Sequence, residues 1–290
     1  MKYKLHTDYK DTRWLREAFY KFTQQVFGLS FKEWTEAGLW NDQYICYSLV
    51  DDNEIISNVS LSKLQVLIDG QIKDAIQLAT VGTLEEYRGQ GLSRYLMEKV
   101  LKEYEEEYDL FFLSANNSVV DFYPRFGFQR VSEYKFIARK PQVIEKSGIR
   151  KLDLDRVEDF GLIKELCEKR VPVTDYFGAI DYSHIFVWYL LNFHGDSIFY
   201  IQEKETIVIC NTKENCLHIY DILSPDEFDF REILSYLPTR ESDSIRFHFT
   251  PDKINMDFNS QPIVESDPFF VRGDFGLEGT PFKFPQLAQT

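Results

Sequence analysis

The stretch Arg88-Gly89-Gln90-Gly91-Leu92-Ser93 follows an apolar run that ends at Val81-Gly82-Thr83 and precedes residues 93–108, SRYLMEKVLKEYEEEY, which have helical periodicity. A glycine loop that opens a helix leaves several backbone N–H groups without intrahelical partners, with the positive end of the helix dipole behind them. Pyrophosphate is a natural ligand for such a site. Glycines 89 and 91 allow the phosphate oxygens close approach, and Arg88 and Arg94 can add positive charge.

The spacing of the loop excludes two common nucleotide motifs. It is neither the GxxxxGK[ST] of a Walker loop nor the GxGxxG of a dinucleotide fingerprint. A glycine turn that binds nothing is the alternative for a lone GxG. A second motif reduces the weight of that alternative: Asn116 stands seven residues before Tyr123, which is followed by Pro124-Arg125-Phe126-Gly127-Phe128.

The two motifs together resemble the signatures of the GCN5-related N-acetyltransferase (GNAT) superfamily. The loop resembles its R/Q-x-x-G-x-G/A pattern, with Ser93 in the last small-residue position, and Asn116 to Phe128 resembles its Asn…Tyr…Gly-Phe segment. The resemblance covers nearly all of residues 1–140. It implies an α/β (α+β) fold in which helices flank a mixed central sheet.

The surrounding sequence predicts elements in an order that suits this fold. Residues 11–27 predict an amphipathic helix with Trp14, Ala18, Phe22 and Val26 on one face, and a second helix spans 31–38. The predicted strands are 44–50, 55–68, 72–83, 109–113 and 128–138, with a helix over 116–125.

The pattern breaks at Lys140-Pro141, which predicts two units, a catalytic GNAT domain over 1–140 and a degenerate GNAT-like domain over 150–290. In the second unit, Ile222 to Phe228 takes the place of the glycine loop. Ser224 is expected as a helix cap and Pro225 as the first helical residue, and Asp226 and Glu227 put negative charge where phosphate would bind. We therefore expect no second coenzyme site.

Such a pair of units is similar to the enhanced-intracellular-survival acetyltransferases among bacterial two-unit GNAT proteins. This chain has no room for the additional sterol-carrier-like C-terminal domain of that group. In that group the terminal carboxylate is thought to approach the active site. The sequence leaves open whether Thr290 reaches the cleft here.

The resemblance implies an acetyl-CoA-dependent N-acyltransferase of the EC 2.3.1 class, with acetyl-CoA as cosubstrate and no metal. Tyr123 would be the catalytic general acid, although by itself, in a chain of seventeen tyrosines, it is more typical of a core residue. Residues implied to bind acetyl-CoA are Val81, Gly82, Thr83, Arg88, Gly89, Gln90, Gly91, Leu92, Ser93, Arg94 and Asn116. Asn117 is the alternative to Asn116.

The sequence gives weaker indications of the general base and of the amine acceptor. Glu85, Glu86 and Asp121 lie near the motifs but are expected to be solvated or capping residues. Trp34, Trp40 and Tyr44 could form aromatic walls for the acceptor, or simply core. A non-catalytic acyl-CoA-binding or sensory module is the alternative function.

The amino-acid composition limits the classes of partner that the protein is expected to bind. The net charge is −14, and residues 1–140 hold 18 Lys and Arg against 21 Asp and Glu, so the acidity lies mainly in the second half. This charge argues against nucleic acid and for a small cationic amine acceptor. No run reaches the roughly 20 apolar residues of a membrane span, and the four cysteines lack metal spacing. We expect a cytoplasmic protein without a membrane partner, and a homo-oligomer is compatible with the sequence.

Overall fold

The computed structural model describes residues 2–238, 242–264 and 267–290, which form two mixed β-sheets and six α-helices. The first sheet has the spatial order β1 (Lys4–Thr7), β2 (Tyr44–Asp51), β3 (Glu54–Ile68), β4 (Gln71–Thr83), β5 (Leu110–Ser114), β15 (Phe269–Gly273) and β6 (Gln129–Val131), and β9 (Phe177–Ile180) also pairs with β3. The second has the order β14 (Asn259–Pro262), β7 (Tyr134–Arg139), β13 (Ser244–Phe247), β12 (Cys216–Leu223), β11 (Thr206–Lys213), β10 (Ile198–Ile201) and β8 (Ile149–Lys151). The predicted mixed α/β class is confirmed.

The helices are α1 (Arg13–Phe27), α2 (Lys32–Glu36), α3 (Leu92–Tyr104), α4 (Val157–Lys169), α5 (Ser183–Tyr189) and α6 (Phe230–Leu234). Helix α1 is where the sequence predicts it, and Gly28 in the left-handed region ends it. Its buried face is Leu15, Ala18, Phe19 and Phe22, whereas Trp14 is 40% exposed. The observed buried face of α1 is therefore rotated by about one residue from the predicted face.

Two strands connect the predicted units. The predicted strand 128–138 is wrong as one element, because the chain breaks at Ser132-Glu133 into β6, in the first sheet, and β7, in the second. In return β15, from the end of the chain, pairs with β5 and β6 in the first sheet. The division at residues 140–150 stays a prediction. Strand β7 precedes it in the sequence but lies in the second sheet, whereas β15 follows it but lies in the first sheet.

Two other predicted helices are also corrected. Residues 116–125 form two short 3₁₀ turns, Asn117–Val119 and Tyr123–Phe126, the second with Pro124 in its first turn. The helix expected to follow Ser224 and Pro225 shrinks to α6, and Asp229, not Ser224, is its N-cap. Ser224 cannot cap it because α6 begins six residues later, at Phe230, and the buried Ser224 hydroxyl accepts from Thr206 Oγ1 at 3.2 Å.

Within the described ranges, no helix is both long and apolar enough to cross a membrane. The same residues contain no group of three or more His, Cys, Asp or Glu side chains that could hold a metal ion.

Candidate active site

Strands β4 and β5 separate in the middle of the first sheet. They pair in parallel only at Ala75↔Leu110, Ile76↔Phe111 and Gln77↔Phe112. Beyond Gln77, β4 continues to Thr83 with β3 on one edge, while β5 pairs with β15. Among the described strands none pairs with the other edge of β4 from Leu78 to Thr83, and these residues line a cleft of about 1570 Å³.

A buried polar network holds the bend in β4. The register against β3 shifts between Asn58 and Ser60, and Thr80 opposite has a positive φ of 42°. The Asn58 amide donates to Thr80 O and to Thr80 Oγ1, both at 3.0 Å, and to Ser60 Oγ at 2.9 Å. Its Oδ1 accepts from Ser48 Oγ at 2.7 Å. A fully buried amide thus satisfies the backbone that the bulge leaves unpaired.

The glycine loop opens α3 as the sequence predicts. Gly91 is its N-cap with a φ of 76°, and no side chain caps the helix. Gly89 also has a φ of 76°, and a Cβ at either glycine would meet no atom within 4 Å. The first turn of this 13-residue helix therefore has no side-chain cap, and its residues from Leu92 to Arg94 line the cleft, which suits an anion.

Two hydrogen bonds attach this loop to the end of β4. The hydroxyls of Thr83 and Ser93 lie 2.6 Å apart, and Arg88 Nε donates to Thr83 O at 3.3 Å. Position 82 requires a glycine for a different reason, since a Cβ there would lie 2.8 Å from Phe27 Cζ. The glycine lets α1 pack directly against the splayed strand.

Tyr123 lies in the same cleft. Its ring is 4% exposed and packs against Phe128 and Phe270, with centroid distances of 6.1 and 5.5 Å. This burial raises the pKa of the Tyr123 hydroxyl above its usual range, so the phenol is protonated at neutral pH. Asn116 caps the preceding 3₁₀ turn, its Oδ1 accepting from Ser118 N at 2.9 Å.

The structure brings the sequence-predicted residues together with one exception. The residues that line the cleft are Val81, Gly82, Thr83, Arg88, Gly89, Gly91, Leu92, Ser93, Arg94, Asn116 and Tyr123. Gln90 is outside the lining, and its Oε1 accepts from Tyr3 OH at 3.1 Å. Glu85, Glu86 and Asp121 are exposed and also lie outside it.

The second half of the chain supplies a wall whose residues the sequence reasoning did not identify. Helix α5 and the π-helical turn that follows it contribute His184, Ile185, Trp188, Tyr189 and Phe193. They line the cleft together with Phe31, Trp34 and Tyr44 from the first half. Trp40 is outside the lining and packs on Phe19 at 5.1 Å. No local motif marks α5, because only the tertiary fold brings it here.

The last residues of the sequence also reach the cleft. Gln286, Gln289 and Thr290 line it. With its amide oriented to satisfy both groups, Gln77 donates to Ala288 O and accepts from Thr290 N, each at 2.8 Å. Gln77 is the last residue of β4 that pairs with β5, so the segment is held where the strands separate.

A buried ion pair fixes the start of this C-terminal segment. Lys283 Nζ lies 2.9 Å from Glu133 Oε1, and Phe284 N donates to the same oxygen at 3.0 Å. Glu133 and Lys283 are 6% and 8% exposed. Because Glu133 lies between β6 and β7, the pair joins the C-terminal segment to the point where the chain passes from one sheet to the other.

Comparisons with known proteins bear on the first half and on the fold. Residues 8–131 match the family model of the acetyltransferase (GNAT) domain. No curated protein matches the chain in sequence.

Several solved structures share the fold of nearly the whole chain. A protein of Enterococcus faecalis V583 described as a probable N-acyltransferase has a TM-score of 0.60 at 15% identity, over 96% of this chain and 74% of that one. Eis1 of Mycobacterium abscessus has a TM-score of 0.59 at 15% identity, over 93% and 73%. A GCN5-related N-acetyltransferase of Kribbella flavida has a TM-score of 0.58 at 13% identity, over 94% and 73%. Residues 8–131 thus match a GNAT acetyltransferase domain, and nearly the whole chain shares its fold with these solved structures.

Proposed function

We propose that the chain is an N-acetyltransferase that moves the acetyl group of acetyl-CoA to a primary amine. One observation carries the proposal: an uncapped helix N-terminus, a strand edge without a partner and the Tyr123 side chain line the same cleft. These are the three features that acetyl transfer from a thioester needs, an anion site, a row of backbone donors and a proton donor.

The loop and β4 would hold acetyl-CoA. The N–H groups at the start of α3, with Arg88 and Arg94 beside them, suit the pyrophosphate. The free edge of β4 around Val81 and Thr83 suits an extended pantetheine, as an added strand would pair, and Asn116 lines the same cleft. A backbone N–H on this edge would polarise the thioester carbonyl.

Tyr123 would complete the transfer. Acetyl-CoA supplies an acetyl thioester, so that a C–N bond forms to the acceptor as the C–S bond breaks. Tyr123 donates its proton to the departing sulfur, the acceptor nitrogen loses one proton to water, and Tyr123 takes a proton back from water, so that the products are an N-acetyl amide and the CoA thiol. Its burial keeps the phenol protonated well into the alkaline range, and even before transfer its O–H can donate a hydrogen bond to the thiolate.

The acceptor expected from the whole-chain charge is a small cationic amine. Within the cleft, however, only two side-chain carboxylates of the described residues line the wall, Glu133 and Asp267. Glu133 is engaged by Lys283, and Asp267 also has a partner within the chain. The net charge of −14 therefore acts on the approach of a cation more than on its binding in the cleft.

Replacing Tyr123 with Phe tests the proposed acid. We expect kcat to fall by about 10² to 10⁴, the usual range for loss of a general acid, with acetyl-CoA affinity unchanged. Because the pKa of Tyr123 is raised, the wild-type kcat should show no descending limb from a phenol below about pH 10. Thiol release from acetyl-CoA measures both, and Tyr95→Phe on α3, outside the cleft lining, is the control.

Unchanged turnover in Tyr123→Phe would remove the acid role, and stabilisation by acetyl-CoA without transfer to any amine would favour an acyl-CoA-binding module.

A further inference from the structure

Arg246 is a partly buried cation in the cleft wall that has no partner. It lies on β13 of the second sheet and lines the cleft. Its guanidinium forms no hydrogen bond or ion pair with any residue that the structure describes, and its Nε is enclosed. Because the side chain as a whole is only partly buried, its outer Nη1 and Nη2 are the atoms that reach the cleft. A charge that leaves water without a partner costs free energy, so its place in this wall indicates an anionic ligand.

The residues opposite Arg246 in the sheet carry no negative charge. Its partner on β12 is His218 and its partner on β7 is Ile137, and side chains at paired positions lie on the same face of a sheet. Two residues further along the chain, His248 also lines the cleft. Burial, with the nearby charge of Arg246, lowers the pKa of His218 to about 4 and that of His248 to about 2, so both rings are neutral at neutral pH. None of these three neighbours neutralises the guanidinium.

Arg246 differs from the other cations of the lining in position and in pairing. Arg88 and Arg94 stand at the glycine loop, which is assigned to the pyrophosphate of acetyl-CoA. Lys283 has a buried ion-pair partner, and Arg125 is exposed in a 3₁₀ turn of the first half. Among the described lining residues, Arg246 is therefore the partly buried cation that remains for the acceptor.

The net charge of the chain limits which anion suits this position. A charge of −14 disfavours the approach of a molecule with a net negative charge. An amino acid with an uncharged side chain carries one ammonium and one carboxylate at neutral pH, so it has no net charge. It combines the primary amine that acetyl transfer requires with the anion that the guanidinium lacks.

We propose that the acceptor is an amino acid, and that Nη1 and Nη2 of Arg246 bind its carboxylate. This inference rests on the proposed acetyl transfer and specifies its acceptor. A guanidinium binds a carboxylate through two parallel N–H···O bonds, which fix its orientation as well as its position. The C–N bond then forms at the amino nitrogen as the C–S bond breaks, and that nitrogen loses one proton to water. The products are an N-acetyl amino acid and the CoA thiol.

Matched acceptors that differ in the carboxylate test the proposal. Phenylalanine is compared with phenethylamine, leucine with isoamylamine and lysine with cadaverine, each by thiol release from acetyl-CoA at neutral pH. We expect kcat/KM to be about 10- to 100-fold higher for the amino acid in at least one of these pairs, the factor that hydrogen bonds between charged groups give.

The outcomes separate the acceptor from the reaction. If no pair favours the amino acid, whether or not the amines react, the inference is overturned while acetyl-CoA binding and acetyl transfer can stand. No stabilisation by acetyl-CoA together with no transfer to any of these acceptors would overturn the proposed function itself.

Replacing Arg246 separates carboxylate binding from amine basicity, from folding and from acetyl-CoA binding. Arg246→Met removes the charge and keeps an unbranched side chain. We expect it to raise KM for the preferred amino acid about 10- to 100-fold, with kcat/KM for the matched amine and the Kd for acetyl-CoA at their wild-type values. Arg246→Lys keeps the charge but loses the paired N–H groups, so its KM should lie between those of the wild type and Arg246→Met.

Arg139→Met provides the matched control, because Arg139 lies on the adjacent strand β7 but outside the cleft lining. It should leave the preference for the amino acid unchanged. The same preference in Arg246→Met as in the wild type would overturn the inference. A rise in the Kd for acetyl-CoA as large as the rise in KM would also overturn it, since Arg246 would then bind the cosubstrate.

Discussion

The two sheets each contain a strand, a helix and a parallel strand, and they use this unit differently. In the first sheet the unit is β4, α3 and β5, and in the second it is β12, α6 and β13. Helix α3 has 13 residues and begins at a glycine with no side-chain cap, whereas α6 has five residues and the Asp229 carboxylate caps it by accepting from Arg231 N. A shared topology therefore does not make two equal anion sites.

The space between the strands differs as well. Beyond Gln77 the edge of β4 lines an open cleft. In the second sheet the parallel ladder ends at the pair Ile219↔Phe247, where His248 N donates to Ile219 O at 2.9 Å. The ring of His248 then stacks on Tyr220 at 4.3 Å. In the second sheet, side chains occupy the space beside the strand edge that stays open in the first sheet.

The largest expected effect comes from making the first loop resemble the second. Gly91→Glu puts a carboxylate at the α3 N-terminus and should abolish stabilisation by acetyl-CoA in a thermal-shift titration, because it opposes the pyrophosphate. The left-handed φ also costs about 1–2 kcal/mol of stability for a non-glycine residue. Gly276→Glu is matched in φ, 69°, and in free space, but lies outside the cleft, so it should keep the full stabilisation. Equal acetyl-CoA shifts in the two variants would mean that the loop is not the anion site.

A smaller effect is expected from the network that bends β4. Asn58→Ala removes a buried amide with four hydrogen bonds and should lower the free energy of unfolding by about 1–3 kcal/mol. Because the bulge at Thr80 then loses support, the Kd for acetyl-CoA should also rise. Asn211→Ala on β11 of the second sheet, where one long contact of 3.4 Å to Tyr220 OH is lost, is the control. Urea unfolding measures the stability and a binding titration measures the Kd. A loss of stability in Asn58→Ala without any change in Kd would refute the link between the Asn58 network and acetyl-CoA binding.

The smallest effect tests the second unit alone. Asp229→Ala removes the α6 cap and should cost about 0.5–2 kcal/mol in urea unfolding. The acetyl-CoA affinity should stay at the wild-type value, since α6 takes no part in the cleft lining. A change in Kd would show that the two units are coupled in a way that this account lacks.

Local patterns explain what could be predicted from the sequence. Residues 88–93 and Tyr123 could be identified because glycine spacing and a short motif determine their conformation within a few residues. The exchange of β7 and β15 could not, since a strand in the middle of the chain and one near its end choose a sheet by packing that periodicity does not reveal. The residues of the α5 wall were missed for the same reason, since the contact between Trp34 Nε1 and His184 O joins residues that are 150 positions apart. Ser224 has the chemistry of a helix cap, but α6 begins only after Asp229.

The proposed function requires one acetyl-CoA site per chain, at the glycine loop of the first sheet. Isothermal titration of the full chain with acetyl-CoA measures the stoichiometry. We expect one molecule bound per chain in the wild type and none in Gly91→Glu. Two molecules per chain, or one that remains bound in Gly91→Glu, would contradict the assignment of the site to this loop.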